Sequence, residues 1–137
     1  MWWTYALLAA LFASLTALFA KMGVASVPSN LATAVRTVVI LFIAWGVVLF
    51  KGETRELLSI SRQGLFFLVL SGVTTGLSWL FYFKALQLGK VSQVAPVDKL
   101  SVALTILLAA VFLQEPLTLK TALAAGLIIA GTLILIF

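Results

Sequence analysis

Apolar residues in this chain run in long unbroken blocks separated by short polar breaks, and they do not alternate. A helix needs about 20 mainly apolar residues to cross roughly 30 Å of hydrocarbon. Five blocks meet that length: residues 2–20, 31–50, 64–83, 93–113 and 119–137. Without period-two alternation there is no case for strands. The pattern predicts an all-α integral membrane protein with five transmembrane helices. Lys21 closes the first block, and Ser29 or Asn30, after Pro28, can cap the second. The first block has no Lys or Arg ahead of it and is longer than a signal-peptide core, so it reads as a span. The break at residues 51–63 carries Lys51, Glu53, Arg55, Glu56 and Arg62 and reads as a solvated loop or interfacial turn.

Composition strengthens this reading. Of 137 residues, 64% are hydrophobic and 9% charged, whereas a soluble domain is about a quarter charged. There is no histidine and no cysteine. That removes disulfides and histidine- or cysteine-based catalysis, and no nucleophile–base set or metal cluster can be assembled. The expectation is a non-enzyme without cofactor or metal. The net charge of +5 is a topology signal in a membrane protein, not a nucleic-acid signal.

Five spans put the termini on opposite faces. Lys21, Arg36, Lys84, Lys90 and Lys99 belong to one side, with Asp98; Lys51, Arg55, Arg62 and Lys120 belong to the other, with Glu53, Glu56 and Glu115. Five basic residues against four give almost no orientation signal, which permits insertion both ways. Leaving out Arg36, Lys84 and Lys99 as intramembrane favours an inside amino terminus.

Arg36 cannot be moved out of its span. Residues 37–50 number 14, about 21 Å of helix, too short to cross. Asp98 and Lys99 are held in the fourth span by the same subtraction, since residues 100–113 again number 14. Each such charge costs about 2.5–3.5 kcal/mol at mid-bilayer and less near the ends. Arg36, Lys84 and Lys99 with Asp98 thus predict either a cationic site for an anionic substrate, with Asp98 as titratable partner, or an Arg36–Asp98 ion pair with snorkelling lysines. Asp98 could also cap a helix starting near Ala95, and Pro96 could break the fourth helix. Glu115, beside Pro116, reads as a turn residue that caps the fifth helix.

In the third span Ser71, Thr75, Ser78 and Tyr82 form one polar stripe, with Trp79 beside it. It predicts either a pathway wall or a packing face. Gly72 and Gly76 make a GxxxG, and Ala122, Gly126 and Ala130 a small-residue ladder, both suited to helix packing. Ala6, Ala9, Ala13 and Ala20 share one face of the first span, and Trp2, Trp3 and Tyr5 read as an interfacial belt.

Three stretches carry a family resemblance: Ser78-Trp79-Leu80-Phe81-Tyr82-Phe83-Lys84-Ala85-Leu86, Val94-Ala95-Pro96-Val97-Asp98-Lys99-Leu100-Ser101, and Phe112-Leu113-Gln114-Glu115-Pro116-Leu117-Thr118. They resemble the EamA domain of the drug/metabolite transporter superfamily, with Gln114 where that family's turn has glycine. The closing helix with Gly126 and Ala130-Gly131 is similar, and the Ala-Pro-x-Asp-Lys-Leu-Ser stretch resembles the half-length members in particular. The resemblance implies one five-helix EamA-like unit over residues 1–137. Larger members carry two such units in inverted orientation, so a single unit is expected to pair with a second copy as an antiparallel homodimer. It further implies a secondary transporter of a small metabolite in the inner (plasma) membrane, working by alternating access. The first four helices would line the path and the fifth would support packing. The superfamily's four-helix multidrug exporters use a carboxylate in their first helix, and this chain has none there. The expected partners are membrane lipid, a second copy and a small substrate of anionic character. The alternative reading is a flippase for a lipid-linked substrate, or an accessory subunit of a hetero-oligomer.

Overall fold

The computed structural model describes residues 1–137. The chain forms helices α1 (Trp2–Gly23), α2 (Ser29–Lys51), α3 (Arg62–Leu88), α4 (Val91–Asp98), α5 (Leu100–Phe112) and α6 (Leu119–Ile136). A 3-10 helix, Glu53–Ser59, lies between α2 and α3. Helices α1, α2, α3 and α6 and the consecutive pair α4–α5 (Val91–Phe112) are each long and apolar enough to cross a bilayer. The architecture is the expected all-α membrane fold with five spanning segments.

Several helix ends differ from the sequence expectation. Helix α2 has Pro28 at its N-cap, with φ −54° and ψ 135°, and Ser29 and Asn30 are already helical, so neither caps it. Its other end closes at Gly52, whose φ of +72° lies in the left-handed region where a side chain is unfavourable. The Gly52 N–H donates to the Leu49 carbonyl at 3.2 Å. Helix α6 is capped by Thr118, whose hydroxyl accepts the Thr121 N–H at 3.2 Å, and not by Glu115. Glu115 is committed to the preceding turn: Gln114 takes a φ of 55°, and the Glu115 N–H reaches back to the Ala109 carbonyl at 3.3 Å.

The fourth span is two helices. Helix α4 begins after Lys90 and ends on Asp98, so Asp98 closes a helix and does not cap one. The break at Lys99 is tight: the Lys99 N–H bonds the Pro96 carbonyl at 3.0 Å and the Val102 N–H bonds the Lys99 carbonyl at 3.0 Å. Both are three-residue steps in place of the four-residue steps of an α-helix. Pro96 has no N–H to give to the turn before it, which weakens the helix where it is interrupted.

Contacts gather in two units, one of residues 1–17 with 88–137, the other of residues 18–87. In the first, α6 packs against both α4 and α5. Ala103 and Thr132 are its buried positions on these helices. Thr132 donates to the Ile128 carbonyl at 2.8 Å and reaches the Pro96 carbonyl at 3.3 Å. Between α5 and α6 lies an apolar trough of about 510 Å³, lined by Leu104, Leu107, Ala125, Gly126 and Ile129 among others.

In the second unit the buried residues collect where α1 ends, α2 begins and α3 ends: Ala20 and Val24, Ser29 and Thr33, Phe83 and Leu86. Two side chains tie helix ends to backbone carbonyls. The Lys21 ammonium donates to the Leu86 carbonyl at 2.6 Å, and the Gln87 amide donates to the Val27 carbonyl at 3.3 Å. Carbonyls at a helix end lack intrahelical partners, so the Lys21 bond satisfies one that would otherwise be left in an apolar region. In every span no more than 6% of the most apolar stretch is buried by the chain itself, so lipid or another protein must cover these faces.

Candidate functional site

Arg36 of α2 meets two rings of α3. Arg36 is the eighth residue of α2, about 10 Å of helix rise from its start. The side chain is half-buried, and its guanidinium carbon lies 4.3 Å from the centroid of the Trp79 ring and 5.2 Å from that of Phe83. Trp79 and Phe83 are four apart on α3, so both rings stand on one face, and the charge of α2 rests across them. An aromatic face stabilises a cation most where water is excluded. The rings thereby hold a charge within an apolar span without a carboxylate.

Phe83 was not among the sequence candidates. Its spacing from Trp79 was the available signal, but it was masked by the polar stripe on the same helix. Of that stripe, Tyr82 is half-buried, and its ring meets that of Phe83 edge-on with centroids 6.4 Å apart. Ser71, Thr75 and Ser78 are exposed. Lys84 is exposed and donates to the Gln87 side-chain oxygen at 3.4 Å. In the other unit, Asp98 forms its ion pair with the adjacent Lys99 at 3.4 Å, at the α4–α5 break. The structure therefore groups Arg36 with Trp79, Tyr82 and Phe83, and groups Asp98 with Lys99.

The glycine and alanine faces are open. A Cβ added to Gly72, Gly76 or Gly126 would meet nothing within 4 Å. Ala122 and Ala130 are exposed, and Gly126 and Ala122 line the apolar trough beside α5.

A second feature belongs to the residues 18–87 unit. The loop from Ala25 to Asn30, together with Lys84 and Gln87, lines a polar pocket of about 440 Å³. Ser29 is 5% exposed, and its carbonyl accepts the Thr33 hydroxyl at 2.9 Å. This pocket was not anticipated from sequence, because it depends on Gln87 turning back to the Val27 carbonyl.

Comparison with known proteins gives a consistent result. The model of the EamA-like transporter family matches residues 1–137. A curated protein of Sinorhizobium sp, named as an uncharacterized transporter in the cobO 3' region, is 46% identical over 134 residues, covering 98% of this chain and 95% of that protein. No solved structure matches.

Proposed function

Because this chain belongs to the EamA-like transporter family, and so is a multi-pass membrane transporter, we propose that it carries a small anionic metabolite by alternating access, as an antiparallel homodimer in the inner membrane. Arg36 carries the reading. It is an intramembrane cation stacked on Trp79 and Phe83, without a carboxylate among these contacts to neutralise it. An aromatic cradle orients the guanidinium but leaves its N–H donors free to bind a carboxylate or phosphate bidentately. Trp79 and Tyr82 form the wall beside it, Ser71, Thr75 and Ser78 continue that wall along α3, and Lys84 stands toward the mouth.

The α4–α5 break fits the same scheme. Interrupted helices in transporters expose backbone groups and give a pivot where half-helices can rock. Asp98 and Lys99 stand at that break, and Asp98 is the carboxylate available there for coupling. The homodimer is supported by the open faces of Gly72, Gly76 and the Ala122–Gly126–Ala130 ladder, since a five-helix unit with bare spans is too small to enclose a path. The balanced distribution of Lys and Arg supports insertion in both orientations.

The test is uptake into liposomes containing the purified protein, screened with small carboxylates, phosphate esters, neutral metabolites and cations. Uptake of an anion that is lost in Arg36→Gln and retained in part by Arg36→Lys supports the reading. Uptake confined to neutral or cationic solutes, or unchanged by Arg36→Gln, removes it.

A further inference from the structure

The connection between α2 and α3 takes no part in the proposed path, and it is not a plain solvated loop. Its residues Glu53–Ser59 form a 3-10 helix of seven residues. With three residues per turn, side chains three apart stand above one another. Glu53, Glu56 and Ser59 therefore share one edge, Thr54 and Leu57 a second, and Arg55 and Leu58 the third. The Ser59 hydroxyl donates to the Glu56 carbonyl at 2.7 Å, across one such turn. Both carboxylates of the segment thus stand on one edge, and both leucines stand on the other two.

The apolar edges lie bare. Leu58 is 93% exposed and Leu57 54%, and Phe50, in the last turn of α2, is 94% exposed. Three cations flank them, Lys51, Arg55 and Arg62. Glu53 engages Lys51 at 3.8 Å, whereas Arg55 and Arg62 form no ion pair within 4 Å. The charge that accompanies the leucines is therefore positive, and it is carried by Arg55 on the Leu58 edge itself.

Position decides what this surface meets. Helices α2 and α3 are both long and apolar enough to span a bilayer, and only residues 52–61 join them. Tied to a span at each end, so short a segment stays at the membrane surface. The apolar phase within its reach is the acyl boundary, and the anions in front of that boundary are headgroup phosphates.

We propose that residues 50–62 form an interfacial anchor that docks on anionic phospholipid. Phe50, Leu57 and Leu58 enter the acyl boundary, Arg55 and Arg62 hold headgroup phosphates, and the Glu53–Glu56–Ser59 edge faces water. A basic and apolar side opposed to a polar side is the pattern of helices that lie in the interface plane. Each basic residue near an anionic surface favours association about five-fold. None of these residues belongs to the proposed path, so the anchor can fail while the transport reading stands, and the reverse.

The experiment uses the full chain in nanodiscs of phosphatidylcholine and phosphatidylglycerol. The chain has no cysteine, so Leu58→Cys and Glu56→Cys each give one attachment point for a fluorophore. Both positions are exposed, and helical circular dichroism equal to the parent verifies the fold. A small fraction of one lipid carries a nitroxide quencher on its acyl chain. The label on Leu58→Cys is expected to be quenched severalfold more by nitroxide phosphatidylglycerol than by nitroxide phosphatidylcholine at equal mole fraction. The label on Glu56→Cys is quenched little by either. Adding Arg55→Gln with Arg62→Gln removes the preference for phosphatidylglycerol and leaves the quenching at Leu58→Cys in place. Quenching at Leu58→Cys no stronger than at Glu56→Cys, equal quenching by the two lipids, or a preference that survives the double arginine substitution overturns the proposal.

Discussion

The guanidinium of Arg36 lies 4.3 Å from the ring centroid of Trp79, so a charge belonging to α2 is held by an aromatic face belonging to α3. Cation–π contacts contribute about 0.5–2 kcal/mol, the upper end where water is scarce. Trp79→Leu should therefore lower the stability of the detergent-solubilised protein by about 1 kcal/mol, read from thermal unfolding. Arg36→Lys should weaken the contact less than Arg36→Met, because an ammonium keeps the charge but not the stacking plane. Equal melting temperatures for the parent and Trp79→Leu would show that the stack contributes nothing.

Lys21 ties α1 to the end of α3 through the Leu86 carbonyl at 2.6 Å. A bond from a charged donor contributes about 1.5–3 kcal/mol. Lys21→Met should loosen the last turn of α3, with faster amide exchange there than around Gly72. Unchanged exchange at the α3 terminus would mean that the turn is held by other contacts.

Much of the fold was legible in the chain. Apolar blocks can be counted because a bilayer requires each span to be about 20 residues, and the same count assigns Arg36 to the second block, where it is the eighth residue of α2. The partners of these residues were not legible. That Arg36 meets Trp79 and Phe83 depends on how α2 and α3 approach, which their separate sequences do not encode. Asp98 was readable as a cap because it follows Pro96, yet it ends α4: the interruption falls at Lys99, where two three-residue bonds replace the α-helical ladder. Glu115 lies four residues ahead of the last helix, and Thr118, adjacent to it, is the better-placed oxygen.

The open glycine faces give a test of self-association. A Cβ at Gly72 or Gly76 meets nothing within 4 Å, so larger side chains there should leave the isolated fold intact. Gly72→Leu with Gly76→Leu should keep the helical circular dichroism of the parent and shift cross-linked material from dimer to monomer. A double variant that still cross-links as a dimer would place the contact on another face.

Pro96 and Thr132 together support the interruption of the fourth span. Pro96→Ala restores an N–H that can continue the helix, and it should reduce uptake while raising thermal stability. Thr132→Val removes the hydroxyl that reaches the Pro96 carbonyl at 3.3 Å and should cost about 0.6 kcal/mol, the scale of hydrogen bonds between membrane helices. Uptake equal to the parent in Pro96→Ala would show that the break is not used in transport.

Gln114 occupies a left-handed position, with φ 55°, that glycine adopts without steric cost. The penalty for a residue with a Cβ is about 1–2 kcal/mol, partly offset by the larger chain entropy that glycine loses on folding. Gln114→Gly should raise the melting temperature without altering uptake. A lower melting temperature would show that the Gln114 side chain contributes more than its backbone costs.

The helices are also of unequal length: α3 has 27 residues and α6 has 18. At 1.5 Å per residue these are about 40 Å and about 27 Å. A bilayer thin enough to match α6 leaves α3 to tilt or protrude, and a thicker one stretches past the ends of α6. Acyl-chain length thus becomes a mechanical input to this protein: the composition of the host membrane sets tilt and strain before any solute binds.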